Sequence, residues 1–207
     1  MSAQNPVQAR ERPFVLCLTG SVAMGKTTAA RFFAEAGVPV HDSDAVVHAL
    51  YEGEAVAAIE HEFPGSTAKG KVDRGRLAAM VLNDRTALGR LEAIVHPLVS
   101  ASRDRFLAQQ RGIPVVLCDV PLLFETGLDC GCDAVVVVSA PPEVQRRRAF
   151  ERAGMTDEKF AALVAKQMPD AEKRRRADFV VDSSGDLAHT RAQVHDILRR
   201  VAKMERS

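Results

Sequence analysis

Residues 20–27 read Gly-Ser-Val-Ala-Met-Gly-Lys-Thr and fit G-x-x-x-x-G-K-[ST], the spacing of a phosphate-binding loop. An apolar run, Phe14–Thr19, precedes them, and a segment with helical spacing follows at Lys26. The chemistry needs that context. Backbone N–H groups of the loop and of the helix start converge on one anion, and the helix dipole adds positive charge there. Gly20, Ala23, Met24, Gly25 and Thr28 then surround the phosphates of a nucleotide, and Lys26 reaches the β- and γ-phosphates. The Thr27 hydroxyl ligates Mg²⁺. Gly25 leaves no Cβ between backbone and phosphate. The alternative is a chance Gly-Lys-Thr at a turn, which does not explain the whole pattern with both flanks.

A phosphoryl transfer would also need carboxylates. Asp42 and Asp44 come two apart just after the short apolar stretch Val38–His41. If the chain is extended there, both side chains point to the same side. Asp44 is the candidate base for an acceptor hydroxyl, and Asp42 the candidate contact to a Mg²⁺-bound water. One of the pair is alternatively a helix N-cap. Asp119 ends the apolar run Val115–Cys118, the arrangement that supports Mg²⁺ in P-loop proteins. Leu123, Phe124 and Glu125 then form a wall of the acceptor site.

Transfer also needs cations over the developing charge. Arg146, Arg147, Arg148 and Arg152 fall on one helix-patterned stretch, with Arg148 and Arg152 on the same face. A mobile lid delivers such groups, and Arg148 and Arg152 are expected there. Lys173–Arg176 is expected to be a solvated face. His96, before Pro97, is a candidate contact to a substrate phosphate or a helix cap, and no His spacing suits a metal.

Several elements must position these groups. Strands are expected at Phe14–Thr19, Val38–His41, Ile113–Val120, Ala134–Val138 and Phe179–Val181. A helix is expected over Lys26–Ala36, and another from about Leu187 to Met204 with Val194, Ile197, Leu198 and Val201 on one face. Residues 45–110 read as mostly helical, with one helix ending at His96-Pro97 and a second over Leu98–Gln110. Near-continuous apolar strands alternating with helices indicate a three-layer α/β fold with a five-stranded parallel sheet. The expected division is a tail at 1–12, then one kinase domain over 13–207. Its core takes 13–44, 113–140 and 177–207, with a helical acceptor-side insertion at 45–112 and a helical lid at 141–176.

Composition adds limits. The 207 residues are 46% hydrophobic and 27% charged, with net charge +1, so no global field favours nucleic acid or membrane. The first 12 residues lack the apolar stretch of a signal peptide. Cys17 and Cys118 sit in apolar runs, and Cys130 and Cys132 form a lone C-x-C. All four are expected to be reduced thiols of a cytoplasmic protein.

Taken together, the motifs resemble the dephospho-CoA kinase family over nearly the whole chain. The carrying stretches are L-T-G-S-V-A-M-G-K-T (18–27), G-V-P-V-H-D-S-D (37–44), L-E-A-I-V-H-P-L-V (91–99) and D-V-P-L-L-F-E (119–125). Q-R-R-R-A-F-E-R (145–152), K-Q-M (166–168) and A-D-F-V-V-D-S-S-G (177–185) continue the series. The resemblance implies a fold of the nucleoside-monophosphate-kinase type. It implies ATP-dependent phosphorylation of the ribose 3′-hydroxyl of dephospho-CoA, with Mg²⁺, closing coenzyme A synthesis. It also implies that Asp44 is the base, that Lys26, Arg148 and Arg152 act on the phosphates, and that 177–185 lies by the adenine. The partners are then ATP and dephospho-CoA, with no nucleic acid or membrane. The chain is expected to be a monomer, a weak homo-oligomer being the alternative.

Two departures from the family stand out. Ser21 and Ala23 replace loop glycines, which narrows the loop's conformations and is expected to alter nucleotide affinity. His48 stands where the family often has arginine, and a histidine's charge depends on pH. A P-loop GTPase is disfavoured, because no N-K-x-D occurs and Asp119 leads into Pro-Leu-Leu. A non-catalytic nucleotide-binding module does not account for Asp42, Asp44 and Arg148 beside the loop. A kinase of the same fold with another acceptor is the nearest rival.

Overall fold

The computed structural model describes residues 12–82, 84–127 and 131–204. These divide into two compact units. One is formed by the described residues up to His41 and from Gln110 onward, and the other is Asp42–Gln109.

The first unit holds a five-stranded sheet. Its strands are β1 (Phe14–Thr19), β2 (Val40–Asp42), β5 (Val115–Asp119), β6 (Ala134–Ser139) and β7 (Phe179–Asp182), in the order β2-β5-β1-β6-β7. β1 runs parallel to β5 and β6, and β6 runs parallel to β7. Every residue of β1 is buried, as a strand covered on both faces requires. Helix α1 (Lys26–Glu35) buries Ala29, Phe32 and Phe33, one stripe at helical spacing. Helix α10 (Leu187–Met204) buries Thr190, Val194, Ile197 and Val201 in the same manner. The apolar side chains among these pack with Leu16, Leu18, Val136 and Val138 in one core. The strand positions thus follow the expected α/β pattern, and the phosphate-loop residues follow the C-terminal end of the central strand β1.

The same unit contains α6 (Leu123–Thr126), α7 (Pro142–Phe150), α8 (Asp157–Ala165) and α9 (Asp170–Arg176). α7 stops at Phe150, so Arg152 lies beyond its C-cap residue Glu151, and the helix face expected to carry both Arg148 and Arg152 is interrupted. The expected tail falls outside the described residues except for Arg12. Its guanidinium makes two 2.7 Å bonds to Asp133, whose carboxylate also accepts from Val15 N–H.

The cysteine expectation is corrected. Cys17 and Cys132 form a disulfide with Cα atoms 5.7 Å apart. β1 pairs β6 with Cys17 opposite Val135, so the segment entering β6 brings Cys132 close to β1. Strand pairing set this proximity, and no local spacing announces it. Cys118 is buried on β5, and Cys130 lies outside the described residues.

The second unit contains α2 (Ser43–Leu50), α3 (Val56–Glu62), β3 (Thr67–Ala68), β4 (Lys71–Val72), α4 (Arg74–Val81) and α5 (Arg85–Gln109). β3 and β4 form an antiparallel hairpin turned by Lys69 and Gly70, both at positive φ. Helix α5 runs unbroken through Pro97. The expected break there is wrong. A proline inside a helix loses one backbone bond, yet Ala87, Leu91 and Val95 before it are buried with Leu50, Ile59 and Leu77, and Leu98 and Val99 after it pack partly buried against the same cluster. His96 is therefore mid-helix and caps no helix end.

Candidate active site

The phosphate-loop residues leave β1 and enter α1 without a spacer. Gly20 is required by close approach, since a Cβ there would lie 2.7 Å from the Val138 carbonyl oxygen. Gly25 is the N-cap of α1 at φ +86, a left-handed conformation that suits glycine. No side chain caps the first turn of α1. Its opening N–H groups are thus suited to an anion. Thr27 is exposed in that first turn, with its neighbour Thr28 half-buried.

Ala23 also takes a positive φ, +61. A residue with a Cβ sits there at a cost of about 1–2 kcal/mol against the right-handed region. Its neighbours are tied on all sides. Val22 N–H donates to Gln167 Oε1 at 2.9 Å, and Gln145 Nε2 donates to the Val22 carbonyl at 2.9 Å. Ser183 Oγ donates to the Met24 carbonyl at 2.8 Å. The Arg148 guanidinium donates to Ser183 Oγ at 2.9 Å and to the Ser183 carbonyl at 2.6 Å. Arg148 is thus anchored at the loop's edge, while Arg152 is exposed.

Lys26 lies with its Nζ 2.6 Å from Asp119 Oδ1. The side chains are 16% and 6% exposed, so both charges are largely withdrawn from water. The register places Leu18 opposite Asp119, which puts the carboxylate at the end of β5 next to the loop's origin. Two residues flagged from different motifs are therefore directly in contact. Thr27 and Asp119 are hard oxygen donors of the kind Mg²⁺ prefers.

Asp42 and Asp44 depart from the extended expectation. Asp42 is the N-cap of α2, and its Oδ1 accepts from the N–H of Asp44 at 2.9 Å and of Ala45 at 3.0 Å. Asp44 lies in the first helical turn and is exposed. The helix begins one residue after Asp42 because an aspartate there satisfies two orphan donors. The capping alternative thus holds for Asp42, whose carboxylate still has a second oxygen. His48 is exposed in the last turn of α2, and His96 is half-buried in α5.

Glu125 is bound to the protein through one carboxylate oxygen. Its Oε1 lies 2.7 Å from Lys173 Nζ and accepts from Met168 N–H at 2.8 Å. Burial pushes the carboxyl up, but Lys173 and the Met168 amide outweigh it and hold the group below the usual carboxylate range. Lys173 is fully buried, against the expectation of a solvated face, and Arg174, Arg175 and Arg176 are exposed. Leu123 is buried, and Phe124 lies half-buried with the Arg176 guanidinium 5.9 Å from its ring centroid.

Gln145, Gln167 and Ser183 are not singled out by residue chemistry. Neutral glutamines at unremarkable spacing give no catalytic signal. Their only mark is membership of the stretches 145–152, 166–168 and 177–185 that carry the resemblance.

Residues 14–189 match the dephospho-CoA kinase family. A dephospho-CoA kinase of Rhodopseudomonas palustris strain BisB18 is 59% identical over 92% of this chain and 96% of its own length. One from Bradyrhizobium diazoefficiens is 58% identical over 92% and 96%. Among solved structures, TT1252 from Thermus thermophilus superposes with a TM-score of 0.82 at 33% identity, covering 91% of this chain and 98% of that one. A dephospho-CoA kinase from Campylobacter jejuni shares the fold, with a TM-score of 0.63 at 22% identity, covering 90% and 96%.

Proposed function

The chain belongs to the dephospho-CoA kinase family, and on that premise we propose that it transfers the γ-phosphoryl group of ATP to dephospho-CoA. The acceptor is the ribose 3′-hydroxyl, and the products are coenzyme A and ADP, in the final step of coenzyme A biosynthesis. The observation that carries the reading is the uncapped start of α1 beneath a glycine-flanked loop, with Lys26 and Asp119 at its side. Such a site binds a polyphosphate.

Each residue has a role in this reading. The loop from Gly20 through Ala23, Met24 and Gly25 to Thr28 wraps the phosphates of ATP. Lys26 exchanges Asp119 for the β- and γ-phosphates when ATP arrives. Arg148, already anchored on Ser183, and Arg152 offset charge on the transferring group. Asp44 accepts the proton of the 3′-hydroxyl as its oxygen attacks. His48, His96, Leu123, Phe124 and Glu125 line the acceptor side, Glu125 with its Oε1 on Lys173 and Met168 and its Oε2 without a hydrogen-bond partner among the described residues. Mg²⁺ arriving with ATP neutralises charge between the phosphates, and Thr27, with Asp42 and Asp119 through water, would hold it.

The tail 1–12, core 13–44, 113–140 and 177–207, acceptor-side insertion 45–112 and lid 141–176 are the working division of this enzyme. We propose a monomer in the cytoplasm, with no nucleic acid or membrane partner, although the Cys17–Cys132 bridge removes the support that reduced cysteines would give the cytoplasmic placement. A net charge of +1 gives no global field that would draw nucleic acid or a membrane surface. No helix among the described residues is long and apolar enough to cross a membrane.

A panel of acceptors tests the assignment against other kinases of the fold. Dephospho-CoA is expected to turn over, with shikimate and nucleoside monophosphates at background. Faster turnover of either alternative would overturn it.

A further inference from the structure

Residues 21–24 form a turn closed by the Met24 N–H to the Ser21 carbonyl at 3.2 Å. Ala23 is its third residue and Val22 its second. Of these, only Ala23 has a positive φ. Turns of type I and type II differ by the flip of their central peptide, here Val22–Ala23, and type II places its third residue at positive φ. Glycine accepts that flip freely, whereas an alanine resists it. This loop has the flipped form with alanine in the strained position, so other contacts must select it.

Those contacts are the two glutamines. Gln145 Nε2 donates to the carbonyl of the central peptide, and Gln167 Oε1 accepts from the N–H just before it. Gln145 is buried and comes from α7, and Gln167 lies in the turn between α8 and α9. Their amides can be oriented only one way, since a backbone N–H needs an acceptor and a carbonyl needs a donor. Gln167 is itself placed by its neighbour Met168, whose N–H is held by Glu125 and, through it, by the buried Lys173.

We infer that Gln145 and Gln167 are positioning residues of the phosphate loop, holding the Val22–Ala23 peptide flipped against the strain at Ala23. No peptide among the described residues is cis. Across a trans peptide the N–H points opposite to the C=O. Fixing the Val22 carbonyl on Gln145 therefore turns the Ala23 N–H away from α7 and into the phosphate cradle. Ser183, bound to the Met24 carbonyl, does the same for the Gly25 N–H. The glutamine clamp supplies the selection that a loop glycine would make unnecessary. The inference rests on residues 20–27 being the loop that binds ATP.

The experiment compares Gln145→Glu with Gln167→Glu in the full chain, each with and without Ala23→Gly. Both substitutions add the same charge at nearly the same volume. Only Gln145→Glu loses a donor, while at 167 a carboxylate still accepts from Val22 N–H. Gln145→Glu should raise the KM for ATP about tenfold, with kcat and the acceptor KM changed less than about threefold. Gln167→Glu keeps the acceptor and adds only the charge, so it should raise the KM for ATP clearly less than Gln145→Glu does. Ala23→Gly should recover at least about half of the Gln145→Glu loss on a logarithmic scale, because glycine holds the flip without the clamp. If Gln145→Glu does not fold, the neutral Gln145→Met replaces it, with the same ATP-selective loss and the same recovery expected. Equal effects of the two Glu variants, an unchanged ATP KM in Gln145→Met, or no recovery with Ala23→Gly would overturn the inference. Lys26→Ala is run alongside by calorimetry with ADP. Undiminished binding in that variant would refute the loop assignment itself, independently of the clamp.

Discussion

Lys26 and Asp119 form an ion pair, Nζ to Oδ1 at 2.6 Å, between the phosphate loop and the end of β5. On the proposed reading, the lysine that meets the nucleotide is already engaged, and binding exchanges one anionic partner for another. Asp119 would then both pre-position Lys26 and compete with the phosphate for it. In Asp119→Asn, ADP measured in EDTA should bind at least as tightly as to wild type, because the competitor is weakened. Turnover with Mg²⁺ should fall about 10- to 100-fold, because support for the metal-bound nucleotide is lost. Calorimetry and initial rates check both halves. Weaker ADP binding in EDTA would contradict the competition.

Lys26→Ala removes a cation that strengthens its contact as charge develops on the phosphates. Its kcat should fall about 10²- to 10³-fold. The KM for dephospho-CoA should change far less, which steady-state kinetics at saturating ATP would show.

Asp44→Asn keeps the shape of the side chain at the start of α2 and removes its basicity. A loss of about 10²-fold or more in kcat is expected, with ADP affinity little changed. Unchanged kcat would remove Asp44 as the base. Asp42→Asn is expected to be milder for folding, since an asparagine also caps a helix.

The buried pair Lys173–Glu125 predicts a stability effect with a pH signature. Lys173→Met leaves Glu125 buried without its cation and should destabilise the fold by about 3–5 kcal/mol. The double variant Lys173→Met/Glu125→Leu should recover much of that loss, because an apolar pair of similar volume needs no compensation. The Glu125 carboxyl is held below its ordinary range in the folded chain. It binds its proton less readily folded than unfolded. Its stabilisation is thus full above the ordinary carboxyl pKa of about 4.3 and is lost as pH falls through the lower folded value. Melting curves should show a shallower acid decline in the double variant than in wild type, and equal declines would contradict this.

The Cys17–Cys132 bridge spans 115 residues. Closing a loop of that length stabilises a chain by about 4–5 kcal/mol in the loop-entropy account. Non-reducing digestion of air-oxidised protein should release one peptide pair joined through these two cysteines. Dithiothreitol should separate the pair and lower the melting temperature. Absence of the pair would restore the reduced thiols that composition suggested.

What the sequence made legible was what depends on near neighbours. Phe14–Thr19 and Leu187–Met204 coincide with β1 and α10, because an apolar run before glycine and a stripe at helical spacing are local signals. Asp42 as a cap was available as the alternative to an extended pair. The unread parts depend on distant partners. Pro97 suggests a helix end, yet apolar residues on both sides of it, Val95 before and Leu98 and Val99 after, pack on one cluster and offset the lost backbone bond. Lys173 stands in a run of four basic residues, and only the fold supplies Glu125 from 48 positions away. The reason an alanine is tolerated in the loop lies at positions 145 and 167, more than a hundred residues downstream.

The central claim is tested most directly by incubating the full chain with ATP, Mg²⁺ and dephospho-CoA and identifying the product. The account predicts ADP and coenzyme A in equal amounts, with the new phosphoryl group on the ribose 3′-oxygen and no product when ATP or Mg²⁺ is omitted. Release of ADP without coenzyme A, or phosphorylation of a different hydroxyl, would contradict it.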